Sequence, residues 1–597
     1  MPLELSELTP FTTWLPMALI SWVAVLLGVV VLIAVTAWFV AALRHGPVVA
    51  TRKTSLLLWN AVVDIAGISP RRVWALARLA IQESIRRRVV VVFGVFILLL
   101  LFAGWFLDPG SVNPARLYLS FVLTATSYLV LLLALILSSL SLPIDIKNRT
   151  LHTVVTKPVR ASEVVLGRIV GFVSVGTLLL AVMGTISYAF VVRGLAHSHE
   201  LTADDLHPVE GTAVGQAAAL QGHTKRANDH WHKVTVNPAS RQGRVEMEQG
   251  HTHKLVVEKD GTYRLGPAEG MLLARVPVYG KLVFQDGSGR PKERGVSVGD
   301  EWTYRSYIAG GTSAAAVWTF EGITEEHFPT GLPVELNIGI FRTYKGNIEK
   351  GVPGSLSVRN PKTGKKVEVR VFETREYLID VQKIPRELQT PDGKKLDLFK
   401  DLVDDGKVEI WLQCVEPAQY LGAGQADMYL RARDASFALN FAKGYIGIWL
   451  QMAVVIGLGV MFSTFLSGPV AILATLGTLF GGFCSDFMFR LGTGKTFGGG
   501  PFESLVRLVT QQSITGDMEP GLVTTVCQSM DHVAEKCLQG MSMILPDFGT
   551  FSFADYVASG FNVSGDTILT VTCRALAFVA PVFVAGYLCL RTREVGK

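Results

Sequence analysis

Three His-x-His pairs crowd one stretch of this 597-residue chain: His197/His199, His230/His232 and His251/His253. On a strand, residues i and i+2 share a face. Each pair therefore offers two imidazoles to a metal such as Cu or Zn. No carboxylate or cysteine stands where it would complete a site. The sequence alone thus favours a solvated polar segment in which histidine is tolerated. His230, His232, His251 and His253 are the metal candidates it leaves, with no metal assigned. No Ser/His/Asp or paired-carboxylate arrangement stands out, and no enzymatic activity is expected. Gly494-Lys495-Thr496 imitates the end of a phosphate-binding loop, but the pattern needs glycine at 489, which is Phe489. No cofactor is expected on this chain.

Those residues must be held by something, and the composition says what. Only 18% of residues are charged, against about 25% in soluble chains. The apolar excess sits in blocks at both ends. A bilayer core needs roughly 20 apolar residues in a helix. Uncharged runs cover 15–43, 89–107, 117–144, 169–192 and 444–485, and a last span covers 567–590, interrupted by Arg574. The 444–485 run is two spans long and turns at Gly468-Pro469. The count is about seven spans. The first is too long for a signal peptide and lacks a basic leader, so it is expected to be retained.

Lys and Arg set the orientation. Between the first two spans lie Arg44, Arg52, Lys53, Arg71, Arg72, Arg78, Arg86, Arg87 and Arg88; the next loop on that side holds Lys147, Arg149, Lys157, Arg160 and Arg168. This side is expected to be cytoplasmic, with the N-terminus outside and the C-terminus inside. Ser69-Pro70 reads as a helix start. Beyond it Val73, Ala77, Ala80, Ile81 and Ser84 share a face, with Trp74, Arg78 and Arg86 available to the membrane surface.

The loop between the third and fourth spans reads Asp145-Ile-Lys147-Asn148-Arg149-Thr150, then Lys157-Pro158-Val-Arg160-Ala-Ser-Glu163, ending near Arg168. An amphipathic helix, two spans, this loop and another span resemble the membrane subunits of ABC-2 type ABC transporters. The closing Gly586-Tyr-Leu…Arg591-Thr-Arg-Glu594 is similar as well. The resemblance covers somewhat over half of the chain. It implies that the amphipathic helix is an elbow helix and that 145–168 is the loop coupling to an ATPase. A glutamate common in the pattern is Asp145 here. The resemblance further implies a separate ATPase subunit holding ATP and Mg, and a second permease subunit, identical or different. The lipid bilayer is the remaining partner, and no nucleic acid is expected. The extra first span and a large insert depart from the family plan.

The insert, 194–442, is polar. Val367, Val369 and Val371 alternate with Glu368 and Arg370; Val408, Ile410, Leu412 and Cys414 alternate likewise. Asp-Gly and Thr-Gly pairs punctuate these runs as turns. The stretch 202–244 is weakly patterned and reads as flexible. Within the loop 486–566, two stretches (501–510 and 521–538) read as helical, and Cys527 and Cys537 share a polar loop where they could pair. The fold class expected is a polytopic α-helical membrane protein of about seven spans with an inserted mainly-β extracytoplasmic domain. Its parts are an extra first helix (1–43), a linker with elbow helix and core spans (44–193), the insert (194–442), and the remaining spans (443–597). The function expected is the plasma-membrane permease subunit of an exporter. The competing readings are a membrane-anchored extracytoplasmic sensor and a membrane enzyme with an outer active site.

Overall fold

The structure is a computed structural model. It describes residues 11–592, apart from 86–88, 109–110, 112, 149–158, 209–219, 238–239, 241, 259–261, 299–303, 344–350, 377–378, 391–392, 495–498 and 513–520. The chain divides into two compact units, one built from Leu273–Ser436 with Gly560–Asn562 and the other from the remainder.

The helical unit runs α1 (Phe11–His45), α2 (Pro47–Ala66), α3 (Pro70–Ser84), α4 (Val90–Phe106), α5 (Pro114–Lys147) and α6 (Ala161–Leu195). After the inserted β region come α7 (Phe437–Phe465), α8 (Gly468–Phe483), α9 (Ser485–Gly492), α10 (Pro501–Thr510), α11 (Leu522–Ile544), α12 (Ala554–Ala558) and α13 (Gly565–Thr592). Among the described residues, α1, α5, α6, α7 and α13 are long and apolar enough to cross a membrane. The α8–α9 pair passes the same test together but bends by 60° at its break, and α4 is a shorter apolar helix. The span expected beyond Gly468-Pro469 coincides with α8, and the bend falls at its end, before α9.

Small residues let the helices approach. An added Cβ on Gly459 would meet Ser138, one on Gly176 would meet Met452, and one on Gly447 would meet the Phe551 carbonyl. This is the small-residue packing expected where apolar burial cannot drive helix association. The loop helix α10 lies where the sequence placed it, and α11 starts near its expected position but runs on to Ile544. Cys527 and Cys537 do not pair: both fall on α11, ten residues apart on one rigid rod, and both are free. Such a separation spans about 15 Å along a helix, well beyond disulfide reach.

The separate β unit is antiparallel in every described strand pair of its sheets. Its largest sheet orders Lys366–Thr374, Val352–Arg359, Val408–Cys414, Ala315–Phe320, Lys281–Gln285 and Pro291–Lys292. Val408, Ile410, Leu412 and Cys414 all face its core, and Asp405-Gly406 forms the left-handed turn before them. The other valine run does not keep its alternation. A bulge opposite Leu356/Ser357 shifts the register, so Val371 is exposed and Phe372 turns inward. Glu335 is buried here, held by Arg275 at 2.8 Å and Arg431 at 3.0 Å, with the Tyr429 hydroxyl donating at 2.6 Å.

The first part of the insert belongs to the helical unit. It forms a four-stranded antiparallel sheet of β1 (Leu206–Pro208), β2 (Leu220–His223), β3 (Lys233–Asn237) and β4 (Gln242–Val245), and a hairpin of β5 (Thr252–Val257) and β6 (Tyr263–Glu269). These strands share a small core of Leu201, Leu206, Val234, Val236, Val245 and Leu265. Within the stretch that reads as weakly patterned, the described residues thus include four strands.

Candidate metal centre

The chain reaches the first histidine pair directly from a membrane-length helix: α6 ends at Leu195, and His197 and His199 follow outside regular secondary structure. The other two pairs each follow a two-residue turn. Asn228-Asp229 and Gln249-Gly250 have positive φ, closed by bridges from Ala227 to His230 and from Glu248 to His251. Left-handed backbone at both central positions makes a tight hairpin turn. Each turn aims its His-x-His back at the same point.

All six rings converge. His199, His230, His232, His251 and His253 are buried. The Nε2 atoms of His197 and His230, His199 and His230, and His230 and His251 are each 3.2 Å apart; those of His232 and His251 are 3.3 Å apart, and those of His251 and His197 are 3.0 Å apart. Each imidazole stands edge-on to every other except one, with ring centroids 4.7–5.2 Å apart and planes crossed at 73–84°. The pairs that do not touch are His197/His232, His230/His253 and His251/His199. These are the three diagonals of an octahedron. They follow a cyclic rule: the first histidine of each pair stands opposite the second histidine of the next.

The outward nitrogens obey the same threefold pattern. The first histidine of each pair bonds through Nδ1 to the carbonyl two residues back: His197 to Leu195 at 3.0 Å, His230 to Asn228 at 3.1 Å and His251 to Gln249 at 3.4 Å. The second reaches a carbonyl on a later segment: His199 to Lys225, His232 to Glu246 and His253 to Gly266, each at 2.9 Å. A carbonyl only accepts, so each Nδ1 carries the proton and each neutral ring turns a bare Nε2 lone pair inward. The close N–N approaches are then not hydrogen bonds. They are acceptors facing acceptors, and among the described residues His253 Nε2 has no hydrogen-bond partner. Burial, ahead of mutual repulsion, pulls His199 and His232 down to about 4 and His251 to about 3, and lowers His197 and His253 too. These five rings are therefore neutral at neutral pH.

Sequence reasoning placed two imidazoles of each pair on one side. It did not bring the three pairs together, nor include His197 and His199 among the candidates. The available signal was the turn dipeptide before His230 and His251, repeated at a 21-residue interval.

The residues of the basic loop gather at the other end of α6. Asp145, in the last turn of α5, pairs with Arg168, which also reaches Glu83 of α3 at 3.0 Å. Lys147 and Asn148 end α5 and are exposed, while Arg149, Thr150, Lys157 and Pro158 lie outside the described residues. Arg160 caps α6 and donates to the Val63 carbonyl at 3.0 Å. Glu163 is fully buried. It accepts from the Ser69 backbone at 2.9 Å, from Arg72 Nε at 2.9 Å and Nη2 at 2.7 Å, and from the Arg160 backbone at 3.1 Å. These bonds fix the start of α3 to the start of α6. Val73, Ala77, Ala80 and Ser84 are the buried face of α3; Trp74 and Arg78 are exposed, and Arg86 lies outside the described residues. No protein-family model, curated protein or solved structure matches this chain.

Proposed function

We propose that the chain is the membrane-spanning permease subunit of an ABC-2 type exporter, coupled to a separate ATPase and paired with a second permease subunit. The observation that carries this reading is the buried Glu163 junction. It joins an amphipathic surface helix to the point where the basic loop 145–168 enters a membrane helix, so a push on that loop is delivered to α3 and α6 together. Coupling requires such an element with differential contacts in two states. In this reading α4 and the α8–α9 pair complete seven spans. The Lys/Arg-rich segments face the cytoplasm of the plasma membrane, and the histidine cluster and the β unit face outward. Tyr587 and Arg591 of α13 both bond Asp64 of α2, tying the last span to the same cytoplasmic end.

The histidine cluster favours a second reading, a membrane-anchored extracytoplasmic sensor that needs no ATPase. Purification of the full chain from its native membrane separates the two. The exporter reading expects a co-purifying ATPase, lost in Arg149→Glu/Lys157→Glu. Recovery of the chain without any ATPase would favour the sensor.

A further inference from the structure

Six inward-turned lone pairs, five of them on buried rings, with Nδ1 of each ring bonded to a carbonyl, call for a cation between them. We propose that the Nε2 atoms of His197, His199, His230, His232, His251 and His253 bind one divalent first-row transition ion of octahedral preference, Fe²⁺, Co²⁺ or Ni²⁺. The dimensions agree. The five measured Nε2–Nε2 edges, all among His197, His199, His230, His232 and His251, are 3.0–3.3 Å; an octahedron of that edge has its centre about 2.2 Å from each corner, within about 0.2 Å of metal–imidazole bonds. Its diagonals are then about 4.4 Å, and the five Nε2 atoms that include two diagonals lie within 4.8 Å of one another. His253 supplies the sixth corner, which its unpartnered Nε2 otherwise leaves unexplained.

Ligand chemistry narrows the ion. Neutral imidazole suits borderline metals and not Mg²⁺ or Ca²⁺, which take oxygen. Tetrahedral Zn²⁺ would use four rings and strand two buried acceptors. Tetragonal Cu²⁺ would stretch one diagonal of a frame whose three diagonals are equivalent. Among octahedral ions, affinity rises from Mn²⁺ through Fe²⁺ and Co²⁺ to Ni²⁺. This departs from the Cu or Zn that isolated His-x-His pairs suggest.

The coordination sphere is closed. No corner is left for water or substrate, which marks a structural or sensing site and not a hydrolytic one. Its placement gives it a mechanical consequence. His197 and His199 lie two and four residues past α6, while the other four ligands follow the two hairpin turns, so the ion would fasten the end of α6 to both hairpins.

The test uses the full chain purified in detergent, stripped with chelator, reloaded with Ni²⁺ or Co²⁺, desalted, and assayed for bound metal by mass spectrometry. The expected result is one ion per chain, with Co²⁺ giving the weak visible bands of six-coordination. His253→Ala and the His197→Ala/His251→Ala pair should lose stoichiometric metal at unchanged circular dichroism, and the exposed His223→Ala should keep it. If a variant misfolds, the wild-type stoichiometry and spectrum still decide. The proposal is overturned by absence of stoichiometric binding, by the intense bands of four-coordinate cobalt, or by full retention in the double variant.

Discussion

Replacing Gly171 by leucine tests the docking of the surface helix on the membrane helix. Gly167 and Gly171 lie one turn apart on α6, facing α3. A Cβ at position 171 would lie 2.7 Å from Ala80 Cβ, 2.8 Å from the Ala77 carbonyl oxygen and 3.2 Å from Ala77 Cα. Non-bonded carbons rest at about 3.5–4.0 Å, so α3 and α6 must separate by about 1 Å before the rest of the leucine is placed. Overpacking of this kind costs about 1–3 kcal/mol, with leucine at the upper end. The separation would also pull at the Glu163 junction, whose bonds to Ser69 and Arg72 are 2.7–2.9 Å. Thermal unfolding of the detergent-purified chain should drop by several degrees in Gly171→Leu. Gly28→Leu and Gly94→Leu are internal controls, because nothing lies within 4 Å of an added Cβ at either position. Gly171→Leu melting with the wild type, or the controls falling equally, would refute the packing argument.

Thr224→Val keeps the volume but removes a hydroxyl that accepts from the His232 backbone N–H at 2.9 Å and lies 3.3 Å from His199 Nδ1. Loss of such an outer-shell group should weaken metal retention by about 10–100-fold, read by chelator competition; unchanged retention contradicts the role. In metal-free protein, His199, His232 and His251 titrate well below an ordinary 6.5. The folded state then binds fewer protons than the unfolded state between pH 6.5 and about 3. Its stability should be complete above pH 6.5 and fall as pH drops through that window. Melting curves at pH 7.5, 6 and 5 should decline in that order, and a rise toward acid would contradict the sign. Glu335→Ala strands Arg275 and Arg431 around a lost buried carboxylate. It should destabilise the β unit by about 3–5 kcal/mol, read by denaturant unfolding followed through β-sheet circular dichroism.

The apolar blocks were legible because a membrane-length helix needs nothing but length and hydropathy. The amphipathic helix was legible because Val73, Ala77, Ala80 and Ser84 recur at helical spacing, and these are the buried positions. The valine run at 367–371 was misread past its middle, since a bulge depends on the partner strand and leaves no mark in its own alternation. The histidine site was half legible. Local spacing fixes which two rings share a side. Bringing three pairs to one centre depends on turns at 228–229 and 249–250 and on carbonyls from Lys225, Glu246 and Gly266. A lone His-x-His pair needs a further carboxylate or thiolate to complete a metal site; in the proposed centre the other two pairs take that place.

Whether six imidazoles surround one ion is read most directly by X-ray absorption at the metal edge of the nickel-loaded full chain. The predicted spectrum has six nitrogen scatterers in a single shell at about 2.2 Å, with outer-shell imidazole features. A four-coordinate shell near 2.0 Å, or a shell in which oxygen replaces part of the nitrogen, would contradict the octahedral histidine centre.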